Sequence, residues 1–286
     1  MSTKQNIHRR DAMKLTALGL AGAMSVPAAP PEWPVKSSSD PFGGLKVGLT
    51  SYTTRKLSLD ETIAALKRLD IRYISIKSMH LPLESTKAQR QAVGRKIADA
   101  GLTLMGCGVL TLESDEKQIR DAFDYCRDVG SPMAVSAPKR DALEAIDRVI
   151  KDYGDLKVAI HNHGPEDENF PSPTGVFKLI QGLDKRIGCC VDVGHTFRLA
   201  EDPVEALKSV RSRLFDVHVK DVSATGESPP KVPVGRGVLD HPAILRTLAD
   251  LGFDGHVALE WEAEADDPVP GMAESYGYIR GVFGAA

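Results

Sequence analysis

Imidazoles, carboxylates and amines recur at five places in this 286-residue chain, each time at the end of a short apolar run. They are Lys77-Ser78-Met79-His80, His161-Asn162-His163-Gly164-Pro165-Glu166, Asp192-Val193-Gly194-His195, His218-Val219-Lys220-Asp221 and Glu260-Trp261-Glu262. In an extended strand, residues i and i+2 share a face. His161 with His163, His218 with Lys220, and Glu260 with Glu262 are therefore expected to point the same way within each pair. Charge and imidazole turned toward a common interior need partners, and a divalent cation is a natural one. Two histidines with two carboxylates suit Mn²⁺, Co²⁺, Zn²⁺ or Fe²⁺. Each pair alone is a weak signal; their coincidence at successive strand ends carries the inference.

The elements that must position these groups follow from the hydrophobic pattern. Short apolar runs lie at 47–52, 73–77, 103–107, 132–136, 157–162, 188–193, 215–220 and 256–261. Most are roughly 25–32 residues apart, the size of one βα unit. Helix-period segments lie between them. Ser58 and Glu61 have capping-box spacing at the head of one that runs to Leu69, and Asp240 opens another that Gly252 closes. Eight such repeats predict an α/β fold, a single-domain (β/α)8 TIM barrel over 45–286. Active sites of such barrels lie at the C-terminal strand ends, where the five clusters fall. The longest gap holds a Gly/Ser/Pro-rich stretch at 223–233, expected to be a mobile loop over that face.

Composition narrows the function classes. A net charge of −3 with 42% hydrophobic and 26% charged residues is that of an ordinary folded protein. Near-neutral charge and 6% aromatics offer neither an electrostatic footprint nor a stacking platform for nucleic acid, so none is expected as partner. Cys107, Cys126, Cys189 and Cys190 lack metal-ligand spacing and read as buried structural residues. The first residues differ from the rest. Arg9-Arg10 precedes an apolar run of small and aliphatic residues at 15–26, then Pro27-Ala28-Ala29-Pro30-Pro31. That run is too short to span a ~30 Å hydrocarbon core and suits a twin-arginine signal peptide over 1–29, followed by a Pro/Ser-rich linker over 30–44. The expectation is an exported, periplasmic protein that meets the twin-arginine machinery and keeps no stable membrane anchor. A short amphipathic helix or anchor is the alternative for this segment.

The order of motifs resembles the xylose isomerase-like TIM barrels, the sugar phosphate isomerase/epimerase group. The resemblance rests on Ala159-Ile160-His161-Asn162-His163-Gly164, Asp192-Val193-Gly194-His195, Asp216-Val217-His218-Val219-Lys220-Asp221, Val234-Gly235-Arg236-Gly237-Val238-Leu239-Asp240 and Ala258-Leu259-Glu260. It implies one divalent metal ion held by His161, Asp192, His218 and Glu260, with His195 helping to hold a small carbohydrate substrate. It also implies proton transfer beside a carbonyl. Ketose epimerases of this group usually carry Glu on the fifth strand, paired with the eighth-strand Glu for two-sided proton transfer. Here that position is His161, and a ligated imidazole is a poor base. His163, Lys220, Lys77 or Glu262 would have to serve instead, with Glu260 as a further candidate. Lys77, His80, Arg236 and Glu262 are candidate substrate contacts. The bland readings are a helix cap for Asp192, core or packing roles for His161, His163 and His195, an ion pair for Lys220-Asp221, a turn at Gly235-Arg236-Gly237, and a solvated acidic face at Glu262. The leading expectation is a sugar isomerase or epimerase. A lyase or hydratase acting on keto-glycosides is the first alternative, and a non-catalytic carbohydrate-binding barrel the second. A metal-dependent phosphodiesterase or endonuclease would need more His and Glu ligands than the chain offers.

Overall fold

The structure, a computed structural model, describes residues 40–226 and 228–284. The expected signal peptide and the linker up to residue 39 lie outside them. Residues 40–44, the end of that linker, form a turn: Asp40 accepts from the Phe42 and Gly44 amides, and Phe42 is buried in the core.

Eight parallel strands close on themselves: β1 (Lys46–Thr50), β2 (Tyr73–Ile76), β3 (Thr103–Leu110), β4 (Met133–Ser136), β5 (Lys157–His161), β6 (Ile187–Asp192), β7 (Leu214–Val219) and, last in the chain, β10 (His256–Leu259). Around the barrel the order is β1-β10-β7-β6-β5-β4-β3-β2. All eight predicted runs are strands. An outer ring holds α1 (Leu59–Arg68), α2 (Lys87–Asp99), α3 (Glu116–Val129), α4 (Leu143–Val149), α5 (Pro173–Ile180), α6 (Val193–Arg198), α7 (Pro203–Val210), α8 (His241–Asp250) and α9 (Val269–Gly284). Among the described residues, no helix is long and apolar enough to cross a membrane.

Local signals place these elements. Ser58 caps α1 and receives the reciprocal Glu61 bond of a capping box, and the Asp240 carboxylate accepts from the Ala243 amide at 3.0 Å at the head of α8. Each helix turns an apolar face to the barrel, where Leu66, Phe123, Ile180, Leu207, Leu248 and Tyr276 are fully covered. All four cysteines are free and buried, as expected.

Part of the expected mobile loop is ordered. Residues 221–222 and 231–232 pair as a short antiparallel ladder, β8 (Asp221–Val222) and β9 (Lys231–Val232). Asp221 pins it: its buried carboxylate accepts from the amides of Gly235 and Gly237 at 3.0 Å each and of Val222 at 2.9 Å.

Candidate functional site

Register decides which strand-end residues meet. Asp192 on β6 is the lateral partner of His218 on β7, which in turn lies beside Ala258 on β10. Two residues past Ala258, Glu260 follows the strand end, its amide donating to the Val219 carbonyl at 2.9 Å. His161 closes β5 and faces them: His161 Nε2 lies 3.0 Å from His218 Nδ1 and 3.5 Å from Asp192 Oδ2, and His218 Nδ1 is 3.3 Å from Glu260 Oε2. One ligand-type atom from each of His161, Asp192, His218 and Glu260 falls within 4.8 Å of the others, and all four residues are buried.

Asp192 performs two tasks with its two oxygens. Oδ1 accepts from the His195 amide at 2.8 Å and caps α6, whereas Oδ2 points into the cluster. The cap and the functional role coexist. Asn162 holds the strand end: its Oδ1 accepts from the Asp192 amide at 2.9 Å and its Nδ2 donates to Thr196 at 3.2 Å.

Lys220 is the nearest cation. Its Nζ lies 2.9 Å from Asp192 Oδ2, 2.8 Å from Glu260 Oε2 and 2.5 Å from Glu262 Oε1, with only 4% of the side chain exposed. Gly194 makes room for it, since a Cβ there would stand 2.5 Å from Lys220 Cγ. Burial by itself would push Lys220 toward the neutral amine, but Asp192, Glu260 and Glu262 outweigh that and hold it protonated far above the ordinary lysine range. The same balance, read from the carboxylates, keeps Asp192 and Glu260 ionised: burial raises them, and Lys220 foremost lowers them well below the usual range.

Burial keeps three imidazoles of the site neutral, whereas His218, which burial alone would also lower, is held well above the ordinary value by Cys190, Glu260 and Asp216. His161 and His163 are lowered from the ordinary value, and His195 is pushed down to about 4. The His163 ring centre is 4.3 Å from that of His161, with Nδ1 3.4 Å from Asp167. His195 presents Nε2 to Lys220 at 3.4 Å and Nδ1 to Arg198 at 2.9 Å. Lys77 lies over the Tyr52 ring, 4.3 Å from its centre, and burial lowers its pKa.

Two expected contacts are directed elsewhere. His80 turns to the loop between β1 and α1, 3.0 Å from the Ser51 hydroxyl and 3.0 Å from the Leu57 carbonyl. Arg236 is exposed and pairs with Glu274 on α9, while its neighbouring glycine amides serve Asp221. Other residues were not anticipated. Arg198 pairs with Glu166 beside His195, three residues on along α6, so helical spacing from His195 could have found it. Asp216 Oδ2 lies 3.5 Å from His218 Nε2, and the i, i+2 rule from His218 could have found it.

The donor set fits a divalent cation. His161 Nδ1 is buried without a hydrogen-bond partner, Asp192 Oδ2 meets only the Lys220 ammonium and the His161 ring, and two imidazoles with two carboxylates form a borderline-to-hard set. A carboxylate behind a ligand histidine, as Asp216 stands behind His218, is the support such sites use.

Comparison with known proteins agrees with this architecture. A family model described as "Xylose isomerase-like TIM barrel" matches residues 63–282. The chain is 35% identical over 94 residues to "Putative L-ribulose-5-phosphate 3-epimerase SgbU" of Escherichia coli K12, covering 31% of this chain and 33% of that protein. The chain matches less than half the length of the curated relatives it resembles. Among solved structures, the 3-keto-D-glucoside 4-epimerase YcjR of E. coli superposes with a TM-score of 0.64 at 17% identity, covering 83% of this chain and 99% of that one. The "probable 3-DHS dehydratase AsbF" of Bacillus anthracis gives 0.67 at 13%, covering 82% and 98%. At these identities the structural likenesses establish the fold.

Proposed function

The chain belongs to the xylose isomerase-like TIM barrel family, and from that premise we propose a divalent-metal-dependent enzyme that transfers a proton beside a carbonyl of a sugar or keto-sugar, as an isomerase or epimerase does. The observation that carries this reading is the buried group His161, Asp192, His218 and Glu260 at the strand ends, ringed by Lys77, His163, His195 and Lys220. Those four residues would hold the cation, which when bound supplies a Lewis acid that polarises a carbonyl and stabilises an enediolate.

The remaining side chains divide the proton work. Lys220, held protonated by three carboxylates, donates hydrogen bonds to substrate oxygens rather than accepting a proton. His163 is the base we favour: burial keeps it neutral, and Asp167 on Nδ1 leaves Nε2 for the substrate. Lys77, its pKa lowered by burial and its ammonium against Tyr52, is placed to exchange the second proton. Glu262 orients Lys220, and His195 and Arg198 line the edge for hydroxyl recognition. This arrangement replaces the two-carboxylate scheme that His161 removes.

One observation favours the lyase or hydratase as second reading. Lys220, bonded to both Glu260 and Glu262, sets a fixed positive charge next to the carboxylate pair, where it would stabilise the negative charge on a β-substituent leaving a keto-glycoside. Export by the twin-arginine machinery, supported by Arg9-Arg10 and the apolar run behind it, favours a free sugar or glycoside over a sugar phosphate. An N-terminally shortened protein in the periplasmic fraction is the check on export.

The experiment is elemental analysis of the protein after reconstitution with Mn²⁺, Co²⁺ or Zn²⁺, followed by incubation with keto-sugars and keto-glycosides in D₂O. One bound cation that Asp192→Ala removes, with deuterium entering beside the carbonyl, supports the isomerase or epimerase. Loss of a β-substituent points to the lyase. A bound sugar without exchange points to a binding barrel, and protein that takes up no cation refutes the reading. His163→Ala is expected to retain the cation and lose exchange.

A further inference from the structure

The two imidazoles of the cation group have a second, softer side. One row of the barrel ladder runs His161–Cys190–Asp216–His256 across β5, β6, β7 and β10, each residue the lateral partner of the next. All four are buried. Lateral partners share a face, and Cys190 lies two residues before Asp192 on the same strand, so its thiol points to the same interior one pleat below that carboxylate. Cys189 points the other way, its sulfur near the Pro173 carbonyl at the start of α5.

A nitrogen of His161, a nitrogen of His218 and the Cys190 sulfur fall within 4.8 Å of one another. Independently of the thiol, His161 Nδ1 is a buried atom with no hydrogen-bond partner, and His218 Nε2 makes no hydrogen bond beyond the 3.5 Å approach of Asp216 Oδ2, on rings that are 2% and 1% exposed. Cys190 also packs in a layer with Met133, Val135 and Ala159, so beside its polar neighbours stand apolar side chains and a second soft sulfur. The Cys190 thiol donates to Asp216 Oδ2 at 3.6 Å.

We propose that His161, His218 and Cys190 form an alternative seat for a thiophilic cation such as Cd²⁺ or Zn²⁺, mutually exclusive with the oxygen-rich seat that includes Asp192 and Glu260. The inference rests on the cation reading above, because the two seats share both imidazoles. Ligand softness sorts the ions: Mn²⁺ takes the carboxylate side, and a soft ion takes the thiolate side. Binding there forms a metal–sulfur bond and breaks the S–H bond, the proton being released to solvent; nothing is oxidised or reduced. A soft cation in this seat leaves Asp192 and Glu260 without their ligand role and so inhibits the enzyme in competition with Mn²⁺.

The test uses full-length protein, reduced and stripped with chelator, titrated with Cd²⁺ and separately with Mn²⁺. A sulfur-to-cadmium charge-transfer band in the ultraviolet is expected at one equivalent, unchanged in Cys189→Ser and absent in Cys190→Ser. In Cys190→Ser, affinity for Cd²⁺ relative to Mn²⁺ is expected to fall about 10-fold or more, the scale on which loss of a supporting group weakens metal sites. Cys190→Ala is the second variant, and the wild-type band decides the matter if neither variant folds. Cadmium bound by the wild type without the band, or a band that survives in Cys190→Ser, overturns this inference and leaves the proposed function standing. Failure to bind either cation overturns both.

Discussion

Replacing Lys220 with methionine is the most informative single perturbation of the site. The ammonium bridges Asp192, Glu260 and Glu262 at 2.9, 2.8 and 2.5 Å, and Asp192 and Glu260 are at most 5% exposed. Lys220→Met keeps the length of the stem and removes the charge, leaving two buried carboxylates facing each other. Breaking a buried pair in this way costs about 3–5 kcal/mol, because the surviving charge is uncompensated. For a domain of this size each kcal/mol lowers Tm by about 2–4 °C, so a fall of about 6–20 °C is expected in the presence of chelator. A divalent cation between Asp192 and Glu260 restores the missing charge. Mn²⁺ is therefore expected to raise the Tm of Lys220→Met more than that of the wild type, and to bind the variant at least about 10-fold more tightly, since at an effective dielectric of about 20 a cation ~4 Å away opposes it by about 4 kcal/mol per unit charge. Thermal unfolding by circular dichroism, with chelator and across a Mn²⁺ titration, measures both effects. A chelated variant that melts within about 2 °C of the wild type, or an equal Mn²⁺ increment in the two proteins, would refute the idea that Lys220 and a cation serve the same carboxylates.

Asp216→Asn removes the carboxylate 3.5 Å behind His218 Nε2, and Mn²⁺ affinity by isothermal titration is expected to fall about 10- to 100-fold. His256 is fully buried and pushed down from 6.5 to about 4 by that burial, so the folded state keeps it neutral while the unfolded chain takes up a proton. Its contribution is whole above about pH 6.5 and disappears as pH falls toward 4, about 3 kcal/mol in all, so urea unfolding of His256→Gln is expected to be flatter over that window than the wild type. Asp221→Ala orphans the Gly235 and Gly237 amides and is expected to cost about 3 kcal/mol in the same assay, with Mn²⁺ binding retained.

Much of this protein was legible in the chain itself. The βα period, the Ser58 and Asp240 caps and the polar residues behind apolar runs are local signals, because strand and helix periodicity are properties of neighbouring residues. They identified the barrel and its strands, while the grouping of His161, Asp192, His218 and Glu260 came from the resemblance to the xylose isomerase-like barrels, and the structure brings those four together. What distance along the chain does not encode is lateral register, which closure and tilt of the barrel set. Register brings Cys190 beside His161 and Asp216 beside His256, and so draws Cys190, which reads as a core position in the sequence, into a polar row. Side-chain competition is likewise a tertiary matter. His80 and Arg236 carry suitable chemistry, yet Ser51 with the Leu57 carbonyl, and Glu274, lie nearer and capture them. Lys220 appeared as half of a Lys-Asp pair with Asp221, and the fold separated the two. Asp221 was drawn to the amides of a loop, and Lys220 to three carboxylates from β6 and the end of β10, because a buried ammonium settles where the most negative charge converges.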